Sequence, residues 1–150
     1  MRRYWMGGIA VLLMIATGCE SKLVNATGRD PVDIDEDRYT VTSSGLRYFD
    51  LTPGTGATPV AGQTAVVHYT GWLKDSGLEF ESTRDRNIPL RFTIGADQVV
   101  AGWEEGISTM QVGGLRQLVI PPSLGYGDQV VGPIPPNTTL IFEVELVALE

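Results

Sequence analysis

The sequence predicts an α+β domain, a sheet of short strands with one short helix laid against it. Three observations carry that expectation. Segments of alternating apolar and polar residues recur through residues 39–147 and end in the clean run Phe142, Val144, Leu146 against Glu143 and Glu145. Turn residues punctuate them, with 18 Gly and 9 Pro in the chain. Residues 98–110 alone have a different period: Val100, Trp103, Ile107 and Met110 fall at i, i+3, i+7 and i+10, one face of a helix. Glu104 and Glu105 sit off that face near its start, where the helix dipole favours acid. A helix this short does not persist alone in water, so its apolar face must rest on the sheet. Trp103 is the largest group at that contact, burying about 200 Å². It reads either as a core residue or as the floor of a pocket.

Composition narrows the function classes. The chain has 150 residues, enough for one domain with one core. Its net charge of −7 argues against nucleic acid, which needs a basic face. A single Cys and a single His cannot build a zinc or iron–sulfur ligand set, and no intrachain disulfide can form. No cofactor and no metal are expected.

The first residues are set apart from the domain. Arg2 and Arg3 form a basic start, and residues 6–17 are an uncharged, mostly apolar run, well short of the ~20 needed to span a membrane. The run reads as a secretory signal. It ends in Ala16-Thr17-Gly18-Cys19, which resembles a bacterial lipoprotein signal, with Ala16 where that pattern usually has Leu. The resemblance implies a signal peptide at residues 1–18, cleavage before Cys19 and lipid on that cysteine. A free cysteine beside an ordinary cleavage site is the plainer alternative. The implied location is the bacterial cell envelope, as a lipid-anchored membrane protein. With Glu20 following the cysteine, a Gram-negative host would send it to the outer membrane, on the periplasmic face. Residues 19–38 are polar and acidic, and read as a tether behind the anchor. Asp33, Asp35 and Asp37 lack the loop glycine and distant glutamate of a calcium hand.

The domain then runs over residues 39–150. Residues 39–42 and 46–51 have strand character, residues 65–73 form a β-branched and aromatic strand, and residues 79–82 a short one. Residues 83–87 read as a charged loop fixed by a local Arg–Asp lattice. In residues 90–94, Leu90, Phe92 and Ile94 point inward, and residues 115–120 make a further strand. Residues 123–136 are a long Pro- and Gly-rich loop, of a length that is functional or disordered. His68 is the one candidate general base. No Gly-x-Ser-x-Gly accompanies it, and it reads as a structural, hydrogen-bonded histidine.

Val66-Val67-His68-Tyr69-Thr70-Gly71, Ser82-Thr83-Arg84-Asp85-Arg86, Gly102-Trp103-Glu104-Glu105-Gly106, Gly125-Tyr126-Gly127 and Ile134-Pro135-Pro136 stand in one order along the chain. In that order and spacing, residues 39–150 resemble the FKBP-type peptidyl-prolyl cis–trans isomerases. The resemblance implies a twisted antiparallel sheet of about five strands wrapped around the helix. It implies a pocket built from Tyr69, Phe80, Glu81, Phe92, Val99, Val100, Tyr126 and Phe142 over Trp103, with Leu90, Leu124 and Ile134 as further substrate contacts. Tyr126 and the backbone N–H of Val100 would donate hydrogen bonds to a substrate. Three departures stand out: Glu81 where Asp is common, Leu90 and Leu124 where aromatics are common, and a shorter loop over residues 128–133.

The implied activity is isomerisation of X–Pro bonds in exported, folding proteins. No bond breaks in that reaction, so no nucleophile, metal or general base is required. Proline-containing unfolded polypeptides are the implied partners, macrolide-type molecules are implied pocket ligands, and a monomer is expected. Two rivals keep the same pocket: a binding module for proline or apolar segments without turnover, and a holdase chaperone working at the rim.

Overall fold

A computed structural model of the chain describes residues 29–150. The expected signal at residues 1–18, Cys19 and the tether as far as residue 28 lie outside the described residues.

Seven strands form one antiparallel sheet: β1 (Thr40–Val41), β2 (Arg47–Thr52), β3 (Thr64–Leu73), β4 (Glu79–Ser82), β5 (Leu90–Thr93), β6 (Leu115–Ile120) and β7 (Leu140–Leu149). They lie in the order β1-β2-β6-β7-β3-β4, and β5 also pairs with β3. β5 pairs with residues 64–67 of β3 and β4 with residues 70–72, so the two share one lane. Leaving out the two-residue β1, the sheet has five lanes, which reconciles seven strands with an expectation of about five. Register shifts at Val66/Val67 and Gly71/Trp72 mark bulges in β3, which bend a strand and sharpen its twist.

The inner face follows from alternation. Phe142, Val144 and Leu146 of β7 are buried beneath the helix together with Val67 and Tyr69 of β3 and Leu118 and Ile120 of β6. The helix α1 (Ala101–Ser108) is shorter than the 98–110 period predicts. Asp97 takes a left-handed φ of 54°, which a helix cannot contain, so the chain enters α1 only after Val100. Trp103, Ile107 and Met110 are buried as the period requires. Gly102 and Gly106, one turn apart, let the helix sit tightly on β6. A Cβ on Gly102 would lie 2.8 Å from Ile120 Cγ2, and one on Gly106 2.5 Å from Leu118 Cδ2.

Arg116 of β6, 5% exposed, secures the other end of the helix. Its guanidinium donates to Gly106 O at 2.9 Å and Thr109 Oγ1 at 2.6 Å, pairs with both oxygens of Asp50 at 2.7 and 3.0 Å, and lies over the Tyr48 ring. A cation at a helix C-terminus satisfies orphan carbonyls and complements the dipole.

Two expectations need correction. The acidic tether does not continue to residue 38, because residues 29–38 lie on the outer face of the sheet. Trp72 Nε1 donates to Arg29 O at 2.9 Å, Val32 N to Glu143 Oε1 at 2.6 Å and Gln117 Nε2 to Val32 O at 2.8 Å. A short 3-10 turn at Glu36–Arg38 follows, with Glu36 paired to Arg47 and Arg38 over the Phe49 ring. Polar composition hid this seat, since the segment is held by main-chain groups rather than by apolar side chains. The charged loop after β4 is likewise not a local lattice. Arg84 pairs with Glu145 at 2.7 Å and Asp85 with Arg29 at 2.6 Å, so its charges reach β7 and the N-terminal segment.

The loop after β6 has structure of its own. A 3-10 turn at Pro122–Leu124 leads into Gly127, whose N–H bonds Pro122 O at 2.9 Å, and Val131 and Ile134 pair as a bridge.

Candidate active site

The site is assembled on Trp103, which α1 presses toward the sheet. Tyr69 meets its ring edge to face at 4.8 Å between centroids and 85°, and Phe142 at 5.3 Å and 86°. Phe80 stands perpendicular to Phe142 at 5.6 Å. Such edge-to-face contacts add about 0.5–1.5 kcal/mol each beyond area burial. Gly71 leaves room for them, since a Cβ there would lie 2.7 Å from both Phe80 Cζ and Phe142 Cε1.

Above this aromatic floor opens a cavity of about 200 Å³. Nine of the expected residues line it: Tyr69, Phe80, Glu81, Leu90, Val99, Val100, Trp103, Tyr126 and Phe142. The other three expected contacts lie outside the lining. Phe92 is buried behind Trp103 at 6.0 Å, one step further along β5 than Leu90. Ile134 is buried in the core, drawn in by its bridge to Val131, and Leu124 packs against that core from the 3-10 turn.

The polar groups are few and protonated. Burial pushes the Tyr69 hydroxyl well above the usual tyrosine range, and the Glu81 charge and its hydrogen bond to Tyr69 push in the same direction. Tyr126 is raised as well, first by burial and then by Glu81. Both are therefore neutral O–H donors at physiological pH. The longer Glu81 still reaches Tyr69, and Arg86 Nη2 stands 3.9 Å from its Oε1. The Val100 N–H stands at the N-cap of α1 and has no hydrogen-bond acceptor among the described residues. Trp103 Nε1 is buried without a partner.

His68 belongs elsewhere. It points to the outer face of β3, its Nδ1 3.0 Å from Thr83 Oγ1, which in turn accepts the Tyr69 N–H at 2.9 Å. It fastens the start of the 83–87 loop to β3, as a structural histidine would.

An aromatic-floored pocket with hydroxyl donors and no nucleophile suits an apolar group flanked by an amide. Residues 56–147 match the sequence model of the FKBP-type peptidyl-prolyl cis-trans isomerases. The chain belongs to that family. Over 84 residues it is 51% identical to FK506-binding protein 2 of Gibberella zeae, a match spanning 56% of this chain and 43% of that protein's length. It is 46% identical over 108 residues to peptidyl-prolyl cis-trans isomerase Fkbp12 of Drosophila melanogaster, covering 71% of this chain and 99% of that protein. The crystal structure of AtFKBP13 superposes with a TM-score of 0.72 at 38% identity, over 75% of this chain and 98% of that one. The FKBP fold is thus the fold of this chain, and the FKBP domain is an isomerase domain.

One lining residue of this FKBP pocket escaped the sequence reading. Gln98 borders the cavity, and its Oε1 accepts the Thr93 N–H at 2.8 Å. A polar residue just before a helix reads as surface. Only its place beside Val99 in the stretch entering α1 hinted at the pocket.

Proposed function

We propose that this FKBP domain accelerates X–Pro isomerisation in exported, folding polypeptides by desolvating the amide in the pocket over Trp103. The observation that carries the proposal is the aromatic floor, with Tyr69 and Phe142 edge-on to Trp103, open to solvent on one side and furnished with neutral hydroxyl donors. The planar amide has a larger charge separation than the twisted one. Removing water therefore raises the ground state more than the transition state. The uncatalysed barrier is ~18–20 kcal/mol, and a thousandfold acceleration takes about 4 kcal/mol. The proline ring would rest on Trp103, while the Tyr126 hydroxyl and the Val100 N–H would donate to carbonyls on either side. Macrolide-type molecules would compete for the same floor, in keeping with the FK506-binding name of the Gibberella relative.

A proline-limited refolding assay, with and without a short proline peptide, tests this reading. Acceleration that the peptide abolishes supports it. Peptide binding without acceleration would make the domain a binding module, and suppressed aggregation without acceleration would make it a holdase.

The same proposal includes an anchor. The chain's one cysteine lies in the lipobox-like Ala16-Thr17-Gly18-Cys19, and a lipid there would hold the domain at a bacterial envelope membrane. Two or three acyl chains at ~0.8 kcal/mol per buried CH₂ hold durably where one does not.

A further inference from the structure

We propose that residues 29–39 form a strap whose seating on the outer face positions the 83–87 loop, and through it the Glu81 and Tyr69 rim of the pocket. The proposal rests on the isomerase reading of that pocket. The strap's seat is buried and polar. Trp72 and Gln117, 2% and 1% exposed, offer their side-chain N–H groups to Arg29 O and Val32 O, and the Tyr39 hydroxyl donates to Gln117 Oε1. Trp72 and Gln117 are outer-face residues of β3 and β6, the strands that carry Tyr69 and Leu118 on their inner faces.

A second set of contacts links the strap to the pocket. The Arg29 guanidinium holds Asp85 at 2.6 Å from outside, while the next residue, Arg86, faces Glu81 at 3.9 Å, and Glu81 bonds the Tyr69 hydroxyl. Thr83 fixes the base of the loop through the Tyr69 N–H. The loop is thus drawn outward at Asp85 and inward at Arg86, and the strap sets the balance. None of Arg29, Trp72, Gln117 or Asp85 lines the cavity, so they are positioning residues and not catalytic ones.

The test uses the full chain. Trp72→Phe with Gln117→Leu removes both buried donors, and exchange of the Val32 amide hydrogen reports release of the strap. Couplings of this kind amount to about three- to tenfold, expected here as a rise in KM, and in Kd for a short proline peptide, at unchanged kcat. Arg29→Asp, a surface change that leaves the core untouched, should raise both about twofold, the scale of an exposed ion pair. Arg29→Asp with Asp85→Arg should restore them. A released strap with wild-type KM and Kd would overturn the proposal. So would a fall in kcat at constant KM, or no recovery in the charge-swapped pair. Should the unaltered chain show no turnover, the isomerase reading fails, while the peptide Kd still decides the role of the strap.

Discussion

Gly71 and Phe142 stand opposite each other across β3 and β7, and a Cβ on Gly71 would lie 2.7 Å from Phe142 Cε1. The missing side chain is therefore part of the pocket wall. Gly71→Ala should push Phe142 and Phe80 off their edge-to-face geometry. Overpacking costs typically about 1–3 kcal/mol. The expected result is a lower denaturant midpoint and weaker binding of proline peptides. Unaltered peptide affinity in a destabilised Gly71→Ala protein would show that the rings relax elsewhere.

Gly106 tests how closely the helix must approach. Alanine is the better helix former by about 1 kcal/mol, yet its Cβ would meet the fully buried Leu118 at 2.5 Å. Overpacking should win, so Gly106→Ala is expected to destabilise. A stabilised Gly106→Ala would mean that Leu118 has room to turn aside.

Trp103 separates packing from binding. Trp103→Ala should cost about 3–5 kcal/mol, as deletion of a buried aromatic does. Trp103→Leu should keep most of the fold and lose affinity for proline peptides. Wild-type affinity in a folded Trp103→Leu protein would sink the role of the indole as floor.

Turnover should be flat in pH from about 6 to 9, since the hydroxyl donors Tyr69 and Tyr126 both hold their protons there. Tyr126→Phe should lower kcat/KM about five- to tenfold, the scale of one hydrogen bond, and His68→Gln should leave it unchanged. A loss of activity centred near pH 6.5, the ordinary imidazole value, would reopen acid–base chemistry at His68. Stability has the opposite end of the scale to watch. Both tyrosines are raised above the unfolded value of about 10. A raised value means the folded state holds the proton more tightly. Their contribution is complete below pH 10 and is lost as pH climbs through the folded values. A chemical-denaturation series from pH 8 to 12 should show that decline beginning near pH 10.

The lipid anchor is checked by intact mass. Membrane-extracted protein should begin at Cys19 with added lipid mass. A chain beginning at Met1, or at an unmodified Cys19, would refute the anchor and leave the isomerase untouched. A soluble form for assay is best begun upstream of Arg29, because a chain begun at Tyr39 loses the strap and the acceptors for Trp72 and Gln117.

The periodic parts of this protein were legible in the sequence. Alternation in residues 140–146 and the helical spacing of Trp103, Ile107 and Met110 state which side is inward, because side-chain direction follows from backbone geometry alone. The motifs around Tyr69, Trp103 and Tyr126 marked the pocket because each is a local string of residues. What the tertiary structure decided depends on which distant groups meet. Phe92 and Ile134 were expected in the pocket, but the path of β5 and the Val131–Ile134 bridge bury them instead. Arg116 looked like one polar residue in a strand, yet it closes the end of α1, 10 residues upstream at Gly106. The acidic run read as tether because composition registers side chains, whereas residues 29–38 are held through their main-chain N–H and C=O groups. Every residue but proline carries that donor and acceptor, so no pattern of residue types records where they will be used.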